Sequence, residues 1–302
     1  MERANIRGEL RQHELLSRHT SFAIGGPADT LAYPVDLDDL VALLNAARAQ
    51  QLNSIVLGGG TNVLALDKGF RGVVISLQRL DAIRIEREYR SLGGIYAIVY
   101  AEAGAGLAKA VSFATNEALT GLEFATGIPG TIGGALCMNA GTTEGEMEGI
   151  VNAVNLLSPE GELITRTREE MGFGYRIANI PAGHVVVSAL LLLRHDEKNK
   201  IAARVKALMD TRKSRQPWGM PNAGSVFKNP LDESAGKLIE AAGLKGRAVG
   251  GAQVSAKHAN FIVNTGKATA ADVLALMEIV KQAVLDVHGV RLEPEIKIVG
   301  EE

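Results

Sequence analysis

The sequence predicts an α+β fold built from more than one domain. Strand-like apolar runs and capped amphipathic helices are mixed along the chain without the strict alternation of a doubly wound parallel sheet. The length of 302 residues exceeds the roughly 100–200 of one ordinary domain. Glycine is the unusual component: 34 residues, many gathered into two segments, against only 4% aromatics.

In order, an amphipathic opening from Leu10 to Leu16 leads into His19-Thr20-Ser21-Phe22. Asp36 can cap a helix whose stripe includes Leu40, Leu43 and Leu44. A strand over Ser54 to Leu57 precedes Gly58-Gly59-Gly60, and β-branched Val73, Val74 and Ile75 mark another strand. Alternation at Ile83 and Ile85, and at Tyr96, Ile98 and Tyr100, predicts two more strands, and a helix is expected from Leu107 to Leu119. A glycine-rich stretch, Gly121 to Gly149, precedes strands at Ile150 to Leu157 and Val185 to Leu193. Pro159-Glu160-Gly161-Glu162 reads as a turn. The last third opens with a basic helix, Ile201 to Thr211, then a polar loop, a short helix over Glu233 to Ala242 and a strand near Phe261 to Val263. The final helix has a Thr269/Asp272 capping box, one face of Val273, Leu276, Met277, Val280 and Val284, and Gly289 just past its end. A last strand is expected over Leu292 to Val299.

Composition narrows the function. Lys plus Arg is 32 and Asp plus Glu is 34, a net charge of −2 without the basic excess of a nucleic-acid-binding domain. Hydrophobic residues are 46% and charged residues 22%, as in folded soluble proteins. The single Cys137 excludes an intramolecular disulfide or a multi-cysteine metal site, and points to a reducing compartment. It reads as a buried structural thiol. Met1 to Asn5 carries early charge and no apolar core, so a secretory signal is not expected there. The run Val185 to Leu193 is about half of the roughly 20 residues of a membrane helix. A soluble cytoplasmic protein is expected.

The triplet Gly58-Gly59-Gly60 follows a strand, so successive N–H groups could form a nest for a phosphate. The alternative is a tight turn. The G-x-G-x-x-G template fails, because the sixth residue is Val63 and extended chain follows. The second segment, Gly127-Ile128-Pro129-Gly130-Thr131-Ile132-Gly133-Gly134-Ala135, is extended by Asn139-Ala140-Gly141. It is either a packed structural loop or backbone approaching a large flat or phosphorylated ligand. Two such segments in one chain favour a dinucleotide-like cofactor. No Walker loop, H-E-x-x-H pair or nucleophile elbow is present, and the six histidines have no metal spacing.

The stretch Arg215 to Pro230 is dense in hydrogen-bonding groups and suits a phosphorylated substrate, or is a solvated loop. Period two in the last strand puts Leu292, Ile296 and Ile298 inward and Glu293, Glu295 and Lys297 on the other face. Those carboxylates are solvated surface, or one is a catalytic acid. Arg176 after Tyr175 is a surface cation or part of a site.

These segments together resemble the UDP-N-acetylenolpyruvoylglucosamine reductase family. The resemblance runs from about His19 to Gly300. It rests on His19-Thr20-Ser21-Phe22 with Gly25-Gly26, Leu57 to Asn62, Gly121 to Gly134, Tyr175-Arg176, Gly224 to Pro230 and Leu292-Glu293-Pro294-Glu295. It implies a two-part FAD-binding domain of the vanillyl-alcohol-oxidase/PCMH type plus a C-terminal α+β substrate domain. The spans are 1–78 with 291–302 returning to it, 79–200, and 201–290. FAD would be held by Leu57, Gly58, Gly59, Gly60, Thr61 and Asn62, and by Gly127, Ile128, Pro129, Gly130, Thr131, Gly133 and Gly134. NADPH would serve as co-substrate. The substrate would be UDP-N-acetylglucosamine enolpyruvate, reduced to UDP-N-acetylmuramate for peptidoglycan synthesis. Arg176 and Glu295 match the family's carboxylate-stabilising pair, and Ser225 its proton donor. Lys228 is a candidate to support Ser225. Arg215 and Asn229, with Lys228, match a substrate-binding role.

The chain departs from the family's pattern at Ala178, where relatives often carry Ser, and at Thr61, which keeps the hydroxyl of a common Ser. No tyrosine lies beyond Tyr175, so the chain resembles the shorter branch without a tyrosine-bearing lid. A monomer with no nucleic-acid or membrane partner is expected. The competing readings are a different FAD oxidoreductase and a flavin-free nucleotide-sugar-binding protein.

Overall fold

The computed structural model describes residues 6–301. The charged opening Met1 to Asn5 therefore lies outside the described residues. β1 (Glu9–Leu15) and β2 (Pro27–Tyr33) precede α1 (Leu37–Ala49). α1 starts where the Asp36 carboxylate accepts the N–H of Asp39, and it buries Leu40, Leu43, Ala46 and Ala47. β3 (Ser54–Leu57), β4 (Val63–Ala65) and β5 (Phe70–Ser76) follow, with extended chain after the glycine triplet. β6 (Ile83–Ser91) and β7 (Gly94–Glu102) form a hairpin with Tyr89 opposite Tyr96.

α2 (Leu107–Asn116) stops short of the expected Leu119, because Ala118 turns left-handed at φ 54° and Leu119 enters β8 (Leu119–Thr120). The second glycine segment contains a short helix, α3 (Ile132–Cys137), before β9 (Gly141–Thr142) and β10 (Gly145–Glu146). β11 (Val151–Leu157) and β12 (Leu163–Thr167) make a hairpin, and β13 (Val185–His195) follows. α4 (Lys198–Arg215) extends beyond the basic run at both ends. β14 (Asn222–Ser225), α5 (Ala235–Ala241), β15 (Ala248–Val249), β16 (Ala252–Val254) and β17 (Phe261–Asn264) lead to α6 (Ala270–His288) and β18 (Lys297–Val299).

α6 forms as its signals require. Thr269 and Asp272 make the reciprocal capping box, and Gly289 ends the helix at φ 68°. Its five expected face residues are all buried. The last strand is shorter than expected. Residues 292–296 are not part of a ladder, apart from a single bridge between Phe227 and Pro294. Pro294 has no N–H to give a ladder, so regular pairing begins only at Lys297. Leu292 and Ile296 are buried as the alternation requires, but Ile298 is 44% exposed, which corrects its inward assignment.

β1, β2, β5 and β3 form a four-stranded sheet in that order. The chain gathers into two compact units. Unit 1 takes the described part of Met1–Leu10, with Ala32–Gly59 and Val74–Arg212. Its six-stranded sheet runs β12-β11-β13-β7-β6, with β8 on the end of β13. Central β13 buries Val185, Val186, Val187, Ala189, Leu191 and Leu193, and α3 lies against β13 and β7. Unit 2 takes Arg11–Leu31, Gly60–Val73 and the described part of Lys213–Glu302. Its sheet runs β14-β17-β16-β15, and β18 pairs parallel with β4. The core of unit 2 gathers Phe22 and Leu64 with Phe227, Ile239, Leu276 and Ile296. Among the described residues no helix is long and apolar enough to cross a membrane.

Candidate active site

In unit 1 the end of β3 and the start of α3 meet. A Cβ on Gly58 would lie 2.7 Å from Thr131 Oγ1, so only glycine fits without moving that hydroxyl. Thr131 caps α3 by accepting the Gly134 N–H at 3.4 Å. The N–H groups of Gly58 and Gly59 make no hydrogen bond among the described residues. They remain available to an acceptor, as a nest requires.

The second glycine segment divides. Gly127 (φ 73°) and Gly130 (φ 122°) keep their N–H groups free of protein partners among the described residues. Ile132 and Gly133 instead donate to Ala105 and Ala103 carbonyls, each at 2.8 Å. A Cβ on Gly133 would lie 2.8 Å from the Ala103 Cβ. At Gly133 the glycine serves close packing of α3 on the chain after β7.

Leu57, Gly58, Thr131, Gly133 and Gly134 line one cavity of about 380 Å³ in unit 1, with Leu44, Ile55 and Leu77 among its apolar walls. Cys137 also lines it and is exposed, which corrects the expectation of a buried thiol: it sits at the last turn of the short α3, on the cavity side.

Arg176 stands on a tight turn closed by a bridge between Gly174 and Ile177. Its φ of 59° is left-handed, uncommon for a residue with a side chain and worth a functional question. The guanidinium donates to the Gly141 carbonyl at 3.4 Å and lies 5.0 Å from the Tyr175 ring centroid.

Sequence reasoning missed Arg212 near the end of α4. Its Cδ is 2.9 Å from where a Cβ on Gly127 would be. Burial, and then the charge of Arg176, hold its guanidinium below its ordinary pKa. No carboxylate pairs with Arg212 among the described residues. Two arginines whose charges repel, one partly buried without an acid, favour an anion. The only sequence signal was an arginine in a basic run, which is no signal by itself.

In unit 2, Gly60 closes a turn at φ 62°, and a Cβ there would lie 2.0 Å from the His19 carbonyl oxygen. Its own carbonyl accepts the Ser21 N–H at 3.0 Å. Asn62 donates its side-chain amide to the Glu295 carbonyl at 3.2 Å and accepts the Lys297 N–H at 2.9 Å.

Ser225 ends β14, just after Gly224 at φ 76°. The next residues lie along the 293–295 segment: Glu295 N–H donates to the Val226 carbonyl at 2.8 Å, and Lys228 N–H to the Glu293 carbonyl at 2.9 Å. Ser225 and Glu295 are thereby fixed close in the chain trace. Asn260, 3% exposed, accepts the Phe227 N–H at 3.0 Å and donates to the Phe227 carbonyl at 2.8 Å. Sequence reasoning missed this brace as well.

The Lys228 ammonium lies 3.5 Å from a Glu293 carboxylate oxygen. Asn229 accepts the Ala235 N–H at 3.1 Å, fastening the start of α5. Arg215 is exposed at the end of α4.

The unit 1 residues fit part of a dinucleotide cofactor: free glycine amides, apolar walls and an unpaired partly buried arginine. Residues 28–167 match the FAD binding domain family, and residues 216–299 match the family described as UDP-N-acetylenolpyruvoylglucosamine reductase, C-terminal domain. A reductase of that name from Caldanaerobacter subterraneus subsp. tengcongensis is 44% identical over 97% of this chain and 95% of its own length. One from Methylococcus capsulatus is 46% identical over 99% and 95%. The crystal structure of the Thermus caldophilus reductase superposes with a TM-score of 0.80 at 36% identity, covering 97% of this chain and 99% of its own. The α+β architecture with an FAD-binding domain is thus shared along the whole length, and the chain belongs to the UDP-N-acetylenolpyruvoylglucosamine reductase family.

Proposed function

We propose that the protein is an NADPH-dependent flavoprotein oxidoreductase that reduces UDP-N-acetylglucosamine enolpyruvate to UDP-N-acetylmuramate, in peptidoglycan precursor synthesis. The observation that carries this reading beyond family membership is the backbone pairing of the Ser225 loop with the Glu295 segment. It puts a hydroxyl-bearing and a carboxyl-bearing residue on neighbouring strands of chain.

Bound FAD supplies reversible two-electron chemistry between NADPH and the enolpyruvyl double bond. Leu57 to Asn62 and Gly127 to Gly134 hold it, with the free amides of Gly58, Gly59, Gly127 and Gly130 as donors. The net reaction adds hydride to C3 of the enolpyruvyl group and a proton to C2. Between the two additions, negative charge develops at C2 and spreads into the adjacent carboxylate. Arg176 meets that charge as a fixed cation, and Glu295 completes the carboxylate-stabilising pair. Ser225 gives the proton to C2. Arg215, Lys228 and Asn229 bind the nucleotide diphosphate. Residues 1–78 with 291–302, and 79–200, make the two parts of the cofactor domain, and 201–290 the substrate domain. The enzyme works as a cytoplasmic monomer without nucleic-acid or membrane partners; a net charge of −2, without a basic excess, supports the absence of a nucleic-acid partner.

Stopped-flow spectroscopy of the flavin separates the two halves of the reaction. Ser225→Ala should leave reduction by NADPH within about twofold and slow reoxidation by the enolpyruvyl nucleotide on the order of 10²–10⁴-fold. Equal impairment of both halves would remove the proton-donor role. NADPH consumption at the same rate with and without the nucleotide, with oxygen as acceptor, would instead make the protein a different flavin oxidoreductase.

A further inference from the structure

Asn139 is the most enclosed polar residue beside the Arg176 turn. Its relative exposure is 0%, and its backbone is left-handed at φ 39°. Its side-chain amide makes two bonds of opposite sense. Nδ2 donates to the Gly174 carbonyl at 3.1 Å, and Oδ1 accepts the Glu148 N–H at 2.9 Å. Gly174 is one end of the two-residue bridge that closes the Arg176 turn. Two residues beyond Asn139, the Gly141 carbonyl accepts the Arg176 guanidinium. The neighbouring Ala140 carbonyl accepts the Met147 N–H at 3.0 Å, so segment 139–141 is itself tied to the chain at 147–148.

One three-residue segment therefore holds the Arg176 turn by its backbone and the Arg176 guanidinium by its head. A left-handed arginine on an otherwise exposed turn does not keep one orientation unaided. Asparagine suits this position for two reasons. It tolerates positive φ better than most side chains, and its amide offers a donor and an acceptor together. Aspartate keeps the acceptor and loses the donor to Gly174.

We propose that Asn139 is a positioning residue for Arg176, fixing the guanidinium where the developing carboxylate charge is met. The inference rests on the role given to Arg176 above. It belongs to the second half of the reaction alone, because reduction by NADPH creates no charge on the substrate carboxylate.

The test compares Asn139→Asp, Asn139→Gly, Arg176→Ala and the double variant Asn139→Asp/Arg176→Ala, each loaded with FAD. Asn139→Gly keeps the left-handed backbone and removes both amide bonds, so it guards against misfolding of the aspartate variant. Reoxidation by the enolpyruvyl nucleotide should slow by about tenfold or more in both Asn139 variants, with reduction by NADPH within about twofold. In the Arg176→Ala background, Asn139→Asp should add less than about twofold. Hydrogen exchange of the peptide spanning 172–178 should be faster in Asn139→Asp without any substrate.

If Arg176→Ala slows reoxidation but neither Asn139 variant does, the positioning role is wrong and the Arg176 reading stands. Equal slowing of both halves, or effects that multiply in the double variant, also overturns the positioning role. If Arg176→Ala leaves reoxidation intact, both readings fall.

Discussion

The side-chain amide of Asn62 donates to the backbone carbonyl of Glu295 at 3.2 Å, across 233 residues of sequence. The same residue accepts the Lys297 N–H through its own carbonyl, at the start of β18. Asn62 thus fastens the chain at Glu295 and again two residues further on, at Lys297. The contact lies wholly in unit 2, and it gives the asparagine of the first glycine loop a job apart from any cofactor.

Asn62→Ala leaves the Glu295 carbonyl without this donor. The expected cost is about 0.5–1.5 kcal/mol in global stability, the usual net worth of one such bond. Urea denaturation at constant FAD measures it. Reoxidation of the flavin by the enolpyruvyl nucleotide should also slow, because Glu295 loses its local support. A variant with unchanged stability and unchanged reoxidation would show that β18 alone orients Glu295.

Gly58→Ala brings a methyl group to 2.7 Å from Thr131 Oγ1. Either the β3 terminus shifts or the α3 cap is lost, and both disturb the cavity wall. The dissociation constant for FAD, from titration of the stripped protein, should rise by about tenfold, a loss of about 1.4 kcal/mol. Gly149→Ala is the control, since a Cβ there meets nothing within 4 Å. Unchanged affinity in Gly58→Ala would remove this turn from the cofactor site.

Glu123 gives a pH-dependent prediction. Burial pushes its carboxyl up, but the Gly121 N–H at 2.6 Å, the Thr120 hydroxyl at 2.7 Å and Arg204 at 2.8 Å together hold it below the ordinary 4.5. A folded pKa below the unfolded one adds stability above the unfolded value, and this is lost as pH falls through the folded value. Glu123→Gln should therefore cost on the order of 1 kcal/mol near pH 7, with the gap to wild type narrowing below pH 4.5. Thermal unfolding of both proteins across that range checks it. A gap independent of pH would mean that the ionised carboxylate contributes nothing.

Much of the fold was legible because its signals are local. Thr269, Asp272 and Gly289 bound α6 through contacts within a few residues, and the alternation at Tyr96, Ile98 and Tyr100 needs only the period of a strand. The motifs around Gly58, Ser225 and Glu295 were equally readable, since their spacing is a property of the chain. The helix inside the second glycine segment was not legible, because four glycines in nine positions argue against a helix on propensity. Close packing on Ala103 and the Thr131 cap override that cost.

By itself, then, the sequence determined the α+β class, the capped helices, the two glycine turns and the residue types available for chemistry. Tertiary structure decided which backbone amides stay free, that Ile298 is exposed in β18, and that Cys137 lines a cavity. It also placed Asn139 under the Arg176 turn and Arg212 against Gly127. The physical reason is range. Capping and periodicity act between residues a turn or a pleat apart, whereas a free amide or a braced arginine depends on partners tens to hundreds of residues away, which no local pattern encodes.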